Sequence, residues 1–173
     1  MIKFARVWAM PSADTFDCKP LGMFVNEHLK RATVSVDPFA RNKEWATFTN
    51  DLNPSTKAQF HLQAEEFLHL LVGQKVVADL VILDPPYSPR QISECYKELG
   101  LKVTMADTQN ARFYAAVRDA ALPLVPIGGI VLSFGWNSAG MGKNRGFEIE
   151  KVLMVCHGAA HNDTIAIAER RIK

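Results

Sequence analysis

Three aspartates stand at or near the ends of predicted strands. Asp37 follows the run Ala32–Val36, Asp51 follows Trp45–Thr49, and Asp84 follows the apolar run Ala78–Leu83. An ionised aspartate is an acceptor-only group, suited to holding N–H and O–H donors. Asp84 opens the tetrapeptide Asp84-Pro85-Pro86-Tyr87. Its two prolines stiffen the backbone and so aim the Pro85 carbonyl, a second acceptor. Tyr87 adds a ring on which a flat group can stack. Read alone, the same four residues also make a strand-ending turn with a satisfied Asp and a core Tyr.

The elements that would position these residues follow from periodicity and punctuation. An N-terminal arm reaches about Thr15. Pro20 opens a segment with Leu21, Phe24, Val25 and Leu29 at helical spacing. Strands are predicted over Ala32–Val36, Trp45–Thr49, Ala78–Leu83, Gly128–Phe134, Phe147–Cys156 and Thr164–Ile172, and helices over Gln63–Leu71, Pro89–Leu99 and Asp107–Leu124. Gly100–Ala106 fits neither pattern. Strands alternating with helices predict an α/β fold with a mostly parallel sheet, and the short link between the last two strands predicts an antiparallel hairpin at one edge. In such sheets ligands sit at the carboxyl ends of the strands, which is where the three acids fall.

The 173 residues suit a single domain over 1–173. A formal charge of +2 permits a nucleic-acid partner without arguing for one. No apolar run approaches the length of a membrane span, and the N-terminus lacks a convincing secretory signal, so a cytoplasmic location is expected. Cys18, Cys95 and Cys156 are odd in number and far apart, which speaks against a zinc site or a disulfide framework. His157 and His161 lie in the final hairpin connection. Without a third ligand cluster they read as polar loop residues rather than a metal pair. Ser133-Phe-Gly-Trp-Asn-Ser138 sets Asn137 and Ser138 beside a Trp at a strand end, and Lys143 and Arg145 lie in a glycine-containing loop.

Asp84-Pro85-Pro86-Tyr87, after a strand and before a helix, resembles the catalytic motif of the S-adenosyl-L-methionine-dependent (SAM-dependent) amino methyltransferases that modify DNA bases. The Asp form is similar to the N6-adenine enzymes, in particular short bacteriophage-type ones. The resemblance implies the class I methyltransferase fold, Rossmann-like, with a seven-stranded, mostly parallel sheet and a C-terminal antiparallel hairpin. It also explains the residue types. An exocyclic amine is a poor nucleophile because its lone pair is delocalised into the ring. Acceptors that bond its two N–H groups free that pair, and Asp84 with the Pro85 carbonyl supplies them. Tyr87 would stack on an extruded adenine. Transfer is a direct displacement needing no metal and no covalent intermediate.

Asp37-Pro38-Phe39-Ala40 resembles the first cofactor motif. The loop then reads Arg41-Asn42-Lys43, where a glycine-containing turn is usual. Without glycine the close approach of backbone to cofactor is expected to use ordinary φ/ψ angles. Arg41 and Lys43 read either as solvated charges or as phosphate contacts. Asp51, with Leu52, resembles the acid that holds the cofactor ribose, although Asn50 and Asn53 equally suit an Asx-turn. Gln63-Ala64 stands where an Asp-Ala pair flanks the cofactor adenine; Gln63, Glu65 or Glu66 could serve there, or the segment is an ordinary helix start with acids favouring the dipole. Phe16 resembles the aromatic of an N-terminal cofactor motif or else a core aromatic. Ser88, Asn137, Ser138, Lys143 and Arg145 are the candidate DNA contacts.

The family likeness implies double-stranded DNA as substrate. No separate target-recognition domain is expected. Short loops over Ser88–Thr108 and Trp136–Gly146 would supply recognition, and either the specificity is short and relaxed or a homodimer or partner adds contacts. The location would be the host cytoplasm if the protein is phage-encoded. The alternatives are a SAM-dependent enzyme acting on RNA or a protein amide, and a catalytically silent SAM-fold module that binds DNA.

Overall fold

All four residues of β4 (Leu80–Leu83) are buried apolar side chains. A strand apolar on both faces must lie inside a sheet covered on both sides. The computed structural model, which describes residues 1–86, 93, 97, 100, 110–158 and 161–173, shows this arrangement. Leu80 and Ile82 join a cluster with Leu21, Phe24 and Val25 of α1 (Lys19–Leu29). Val81 and Leu83 join a second cluster, with Phe67, Leu68 and Leu71 of α2 (Ala64–Gly73) and Val117 and Ala121 of α3 (Asn110–Ala121). Among the described residues, α1 therefore covers one face and α2 with α3 the other.

The sheet has seven strands in the order β1 (Lys3–Trp8), β6 (Phe147–Cys156), β7 (Thr164–Arg171), β5 (Ile130–Gly135), β4, β2 (Ser35–Asp37) and β3 (Phe48–Thr49). Neighbours run parallel except β7, which is antiparallel to both β5 and β6. The six strands read from the sequence are present, as is the antiparallel pair at the C-terminus. The seventh strand is β1, inside the segment expected to be an arm. The hairpin is therefore not at an edge, because β1 lies outside it and pairs in parallel with β6. Ala5 and Val7 turn toward the α1 face and pack on its cluster. Lys3, Phe4, Arg6 and Trp8 stay exposed, and this hid the strand from a reading based on apolar runs.

Boundaries moved where side chains captured the backbone. Strand β2 starts at Ser35, because the Asp79 carboxylate takes the amides of Thr33 and Val34. β3 is reduced to two residues, because Trp45 turns inward to bond Asp37. α3 passes at Leu122–Leu124 into a single 3-10 turn, where Pro123 has no N–H to continue the helix. Of the helix predicted over Pro89–Leu99, only Ser93 and Lys97 are described, and both are helical. The rest of that helix, together with Leu101–Ala106, lies outside the described residues. Among the described residues no helix is long and apolar enough to cross a membrane.

The chain leaves β2 toward the β3 edge, then crosses by α2 to β4 on the other side of β2 and continues to β5. The order reverses between β2 and β4, and such a switch point opens a crevice at the carboxyl ends of the strands. Asp37 and Asp84 stand on either side of it.

Phe67 is fully buried and packs at 5.3 Å on the Phe60 ring beneath this crevice. Phe67→Ala is expected to lower the unfolding free energy by about 3–5 kcal/mol, as read by urea denaturation. A loss below about 1 kcal/mol would mean that the α2 side of the core is not tightly packed.

Candidate active site

Asp37 ends β2 with its side chain wholly buried. Its carboxylate accepts from the Phe39 amide at 3.1 Å and from the Trp45 indole Nε1 at 3.2 Å. Burial pushes its pKa up to about 7. The two hydrogen bonds oppose that rise, and the nearby charges of Asp84 and Asp51 add to it. Asp37 thus anchors the loop that follows rather than facing the crevice with an open carboxylate.

In that loop Ala40 donates its amide to the Asn50 carbonyl. Arg41 has φ +50, the left-handed conformation that favours glycine. The loop therefore keeps a glycine-like backbone without a glycine, which corrects the expectation of ordinary angles. Two contacts stabilise the turn. The Arg41 amide donates to Asp51 at 3.1 Å, and its guanidinium donates to the Ala13 carbonyl at 2.7 Å. Lys43 pairs with Asp17 at 2.5 Å. Arg41 and Lys43 accordingly clasp the segment around residues 13–17 onto the loop. Phe16 is the centre of that clasp: it is buried, with its ring 5.1 Å from Trp45 and 5.0 Å from Phe134. α1 comes so close here that a Cβ at Gly22 would lie 2.6 Å from the Phe16 carbonyl oxygen.

Asp51 follows β3 and is half-buried, as is Leu52. One Asp51 carboxylate oxygen takes the Arg41 amide and the other takes the Asn53 amide at 2.9 Å, so the Asx-turn and the acid at the crevice are one feature. Asn50 is fully buried, and its amide group bonds the carbonyls of Pro38 and Leu62 and the amide of Leu62. It rivets the loop to the segment that leads into α2. From the sequence, Asn50 reads as a turn residue, because nothing local marks its contacts to Pro38 and Leu62. Gln63 stands at the N-cap of α2, with Ala64 buried behind it.

Across the switch point, Asp84 is half-buried, Pro85 is buried, and Pro86 receives a hydrogen bond on its carbonyl from the Tyr114 hydroxyl. Burial pushes the Tyr114 pKa up to about 12, so the group is a neutral donor. Beside them lies a cavity of about 90 Å³, walled by Leu83, Pro85, Tyr114, Arg118, Ser133 and Trp136 and also touching Asn137. Arg118 is half-buried. Desolvation, then repulsion from Arg145, lowers its pKa. Tyr114 and Arg118 lie one turn apart on α3, a pair that no motif flagged.

Glu169 of β7 secures the loop that carries Trp136 and Asn137. Its carboxylate is buried and accepts from the amides of Met141 at 2.6 Å and Gly142 at 3.0 Å. A Cβ at Gly140, which has φ +42, would sit 2.1 Å from that carboxylate. Burial raises the Glu169 pKa, while the two amide bonds hold it down.

Of the remaining sequence candidates, Asn137 reaches the cavity wall, and Ser138 and Lys143 are exposed. Arg145 pairs with Asp119 at 2.6 Å and bonds the Met141 carbonyl, so it braces the loop against α3. His157 is buried between the Ala9 carbonyl and the Thr164 hydroxyl and ties the end of β1 to the hairpin. Tyr87 and Ser88 lie outside the described residues.

No protein-family model matches the sequence, and no curated protein matches it. Among solved structures, NSun6 from Pyrococcus horikoshii with SFG is similar, at TM-score 0.57 and 15% identity over 87% of this chain and 51% of that one. SMU.776 complexed with SAH matches at TM-score 0.58 and 10% identity, over 85% and 48% of the two chains. The fold is that of the class I SAM-dependent methyltransferases. aTrm5, from its complex with tRNALeu, shares this methyltransferase fold at TM-score 0.52 and 15% identity, over 90% of this chain and 47% of its own. The chain spans about half the length of each of these three proteins.

Two predictions follow from the anchored loop. A left-handed non-glycine residue stores about 1 kcal/mol of strain. Arg41→Ala loses the bond to Ala13 and keeps the strain, whereas Arg41→Gly loses the bond and relieves it. In denaturant melts Arg41→Gly should exceed Arg41→Ala by about 1 kcal/mol, and equal stability would show that the turn is unstrained. The second prediction concerns Asp37. The unfolded chain ionises this residue near pH 4, but the folded chain retains its proton up to about pH 7. Its contribution to stability therefore falls as pH rises through that window. Asp37→Asn, compared with the wild type at pH 4.5, 6 and 7.5, should gain in relative stability at each step. A constant difference would contradict a protonated Asp37.

Proposed function

We propose that the chain is a SAM-dependent methyltransferase that modifies the exocyclic N6 amine of adenine in double-stranded DNA. The observation that carries this reading is the position of Asp84-Pro85-Pro86. The run leaves β4 at the switch point, across from Asp37, and Pro85 forms part of the cavity wall.

The residues present fit the cofactor. Arg41 supplies the turn that a glycine would otherwise make. Each Asp51 oxygen takes one amide, which leaves about half of the carboxylate's lone-pair sites for ribose hydroxyls. Asp37, Pro38, Phe39 and Ala40 form the turn, closed on its outer side by Phe16. Leu52, Gln63 and Ala64 flank the adenine position. Bound there, SAM supplies an electrophilic methyl group on a sulfonium.

The chain's own groups do the rest. Asp84 and the Pro85 carbonyl accept the two N–H bonds of the target amine and so release its lone pair from the ring. The proton lost on methylation passes to the Asp84 carboxylate and then to water. Tyr114 holds the Pro86 carbonyl and thereby the angle of the Pro-Pro segment. Tyr87, by its place in the motif, stacks on the extruded base, with Ser88 after it. Asn137 and Ser138 border the base, and Lys143 faces backbone phosphate. Arg145 acts by holding their loop. Target recognition rests on these short loops, completed by a second copy or a partner. The setting is the cytoplasm.

A second reading, RNA as substrate, is favoured by the likeness to a chain seen with tRNALeu. Nucleoside mass spectrometry after incubation with SAM and either unmethylated DNA or RNA separates the two. N6-methyladenine in DNA is expected. Asp84→Ala should abolish it, with the SAM-induced thermal shift retained. Asp51→Ala should reduce that shift first. Methylated RNA with unmodified DNA would overturn the DNA assignment, and equal loss of shift and transfer in Asp84→Ala would make Asp84 structural.

A further inference from the structure

Along β5, alternation sends Ile130, Leu132 and Phe134 to the α1 face. It sends Val131 and Ser133 to the face of α2 and α3. Val131 joins the apolar cluster there with Val81 and Leu83. Ser133 occupies the next such position, in register with Leu83 of β4, the residue before Asp84. A carbon side chain would complete the pattern, yet this site holds a hydroxyl. Among the described residues, Ser133 Oγ is a buried polar atom with no hydrogen-bond partner.

Such an atom costs about what a lost hydrogen bond does, and native chains satisfy nearly all of them. Ser133 lines the cavity together with Pro85, and Trp136, 42% exposed, lines it too. A group that enters the cavity can supply the missing partner. Asp84 and the Pro85 carbonyl are acceptors only, so they select an amine. A hydroxyl both donates and accepts. It can supply the donor that those two lack.

We propose that Ser133 is a specificity-determining residue that donates its hydroxyl hydrogen to a ring nitrogen flanking the exocyclic amine of the target base. The ligand class is an amino-heteroaromatic ring with an acceptor nitrogen beside the amine, seated against Trp136. This deepens the reading given under Proposed function and rests on it for the position of the amine. Ser133 touches the base but takes no part in proton transfer.

The test is Ser133→Ala, a change that removes one oxygen and leaves the strand intact. Melting of the free protein should be unchanged or slightly raised, because no internal bond is lost. Adenosine binding, measured by calorimetry with SAH present, should weaken about 5-fold, the worth of one neutral hydrogen bond. Replacing adenosine by its 1-deaza or 7-deaza analogue should cost the wild type about the same factor for one of the two analogues. It should cost Ser133→Ala nothing further, as a double-mutant cycle requires of interacting groups. Methyl transfer to DNA should fall about 5-fold in kcat/KM with the SAM KM unchanged.

Equal adenosine affinity in the two proteins would overturn the assignment, and so would the absence of adenosine binding by the wild type. A melting temperature several degrees lower for Ser133→Ala would overturn it as well, by making the residue structural. If the wild type binds adenosine through Ser133 but methylates neither DNA nor RNA, the proposed activity fails and the assignment of Ser133 stands.

Discussion

The buried Asp37 carboxylate is the constraint on which the candidate site depends. It sits at the carboxyl end of β2, at the point where the strand order reverses, and accepts from the Phe39 amide and the Trp45 indole. Those two bonds fix both ends of the loop that turns through Arg41. They also aim Trp45 at Phe16, so the N-terminal segment is held by the same residue that holds the loop. A carboxylate in this position cannot be exchanged for an apolar side chain without leaving an amide and an indole N–H unpaired. The same burial pushes its pKa up, because the carboxylate loses solvation where it holds the loop.

The two halves of the crevice are built differently. The β2–β3 half is held by side-chain to backbone hydrogen bonds through Asp37, Asn50 and Asp51. Such bonds have defined directions, which suits a surface that must present a particular turn. The β4–β5 half is held by packing, with Leu83 and Val131 in the core and α3 laid across them. Its polar groups enter singly: Tyr114 on the Pro86 carbonyl, Glu169 on the amides of the 140–142 loop. Each corrects the position of a backbone segment that packing alone would leave loose. Ser133 braces nothing: among the described residues its hydroxyl has no hydrogen-bond partner.

Likeness to proteins of low identity is consistent with this division. The parallel core and the antiparallel β5–β7–β6 arrangement are set by apolar periodicity, which many sequences satisfy. The polar residues at the carboxyl ends of the strands lie outside that apolar pattern. They can therefore change while the fold persists.

Much of this was legible in the sequence. Strand and helix order followed from apolar periodicity, because burial on one or two faces leaves a period that any reader can count. The positions of Asp37, Asp51 and Asp84 at strand ends followed from the same count, and the Asp84-Pro85-Pro86 signal from the stiffness of proline. Other features required the folded chain. β1 was hidden because only Ala5 and Val7 face the core while its other residues are exposed. The glycine-like turn at Arg41 was hidden because its backbone angle is held by Asp51 and Ala13, which are distant in sequence. Tyr114 and Arg118 on α3, and Glu169 on β7, reach the site only through packing. The orphaned Ser133 hydroxyl is visible only once every neighbour is in place. Sequence determined what is periodic or locally stiff. The tertiary structure decided which polar atoms find partners, because a hydrogen bond joins groups by distance and angle, not by their order along the chain.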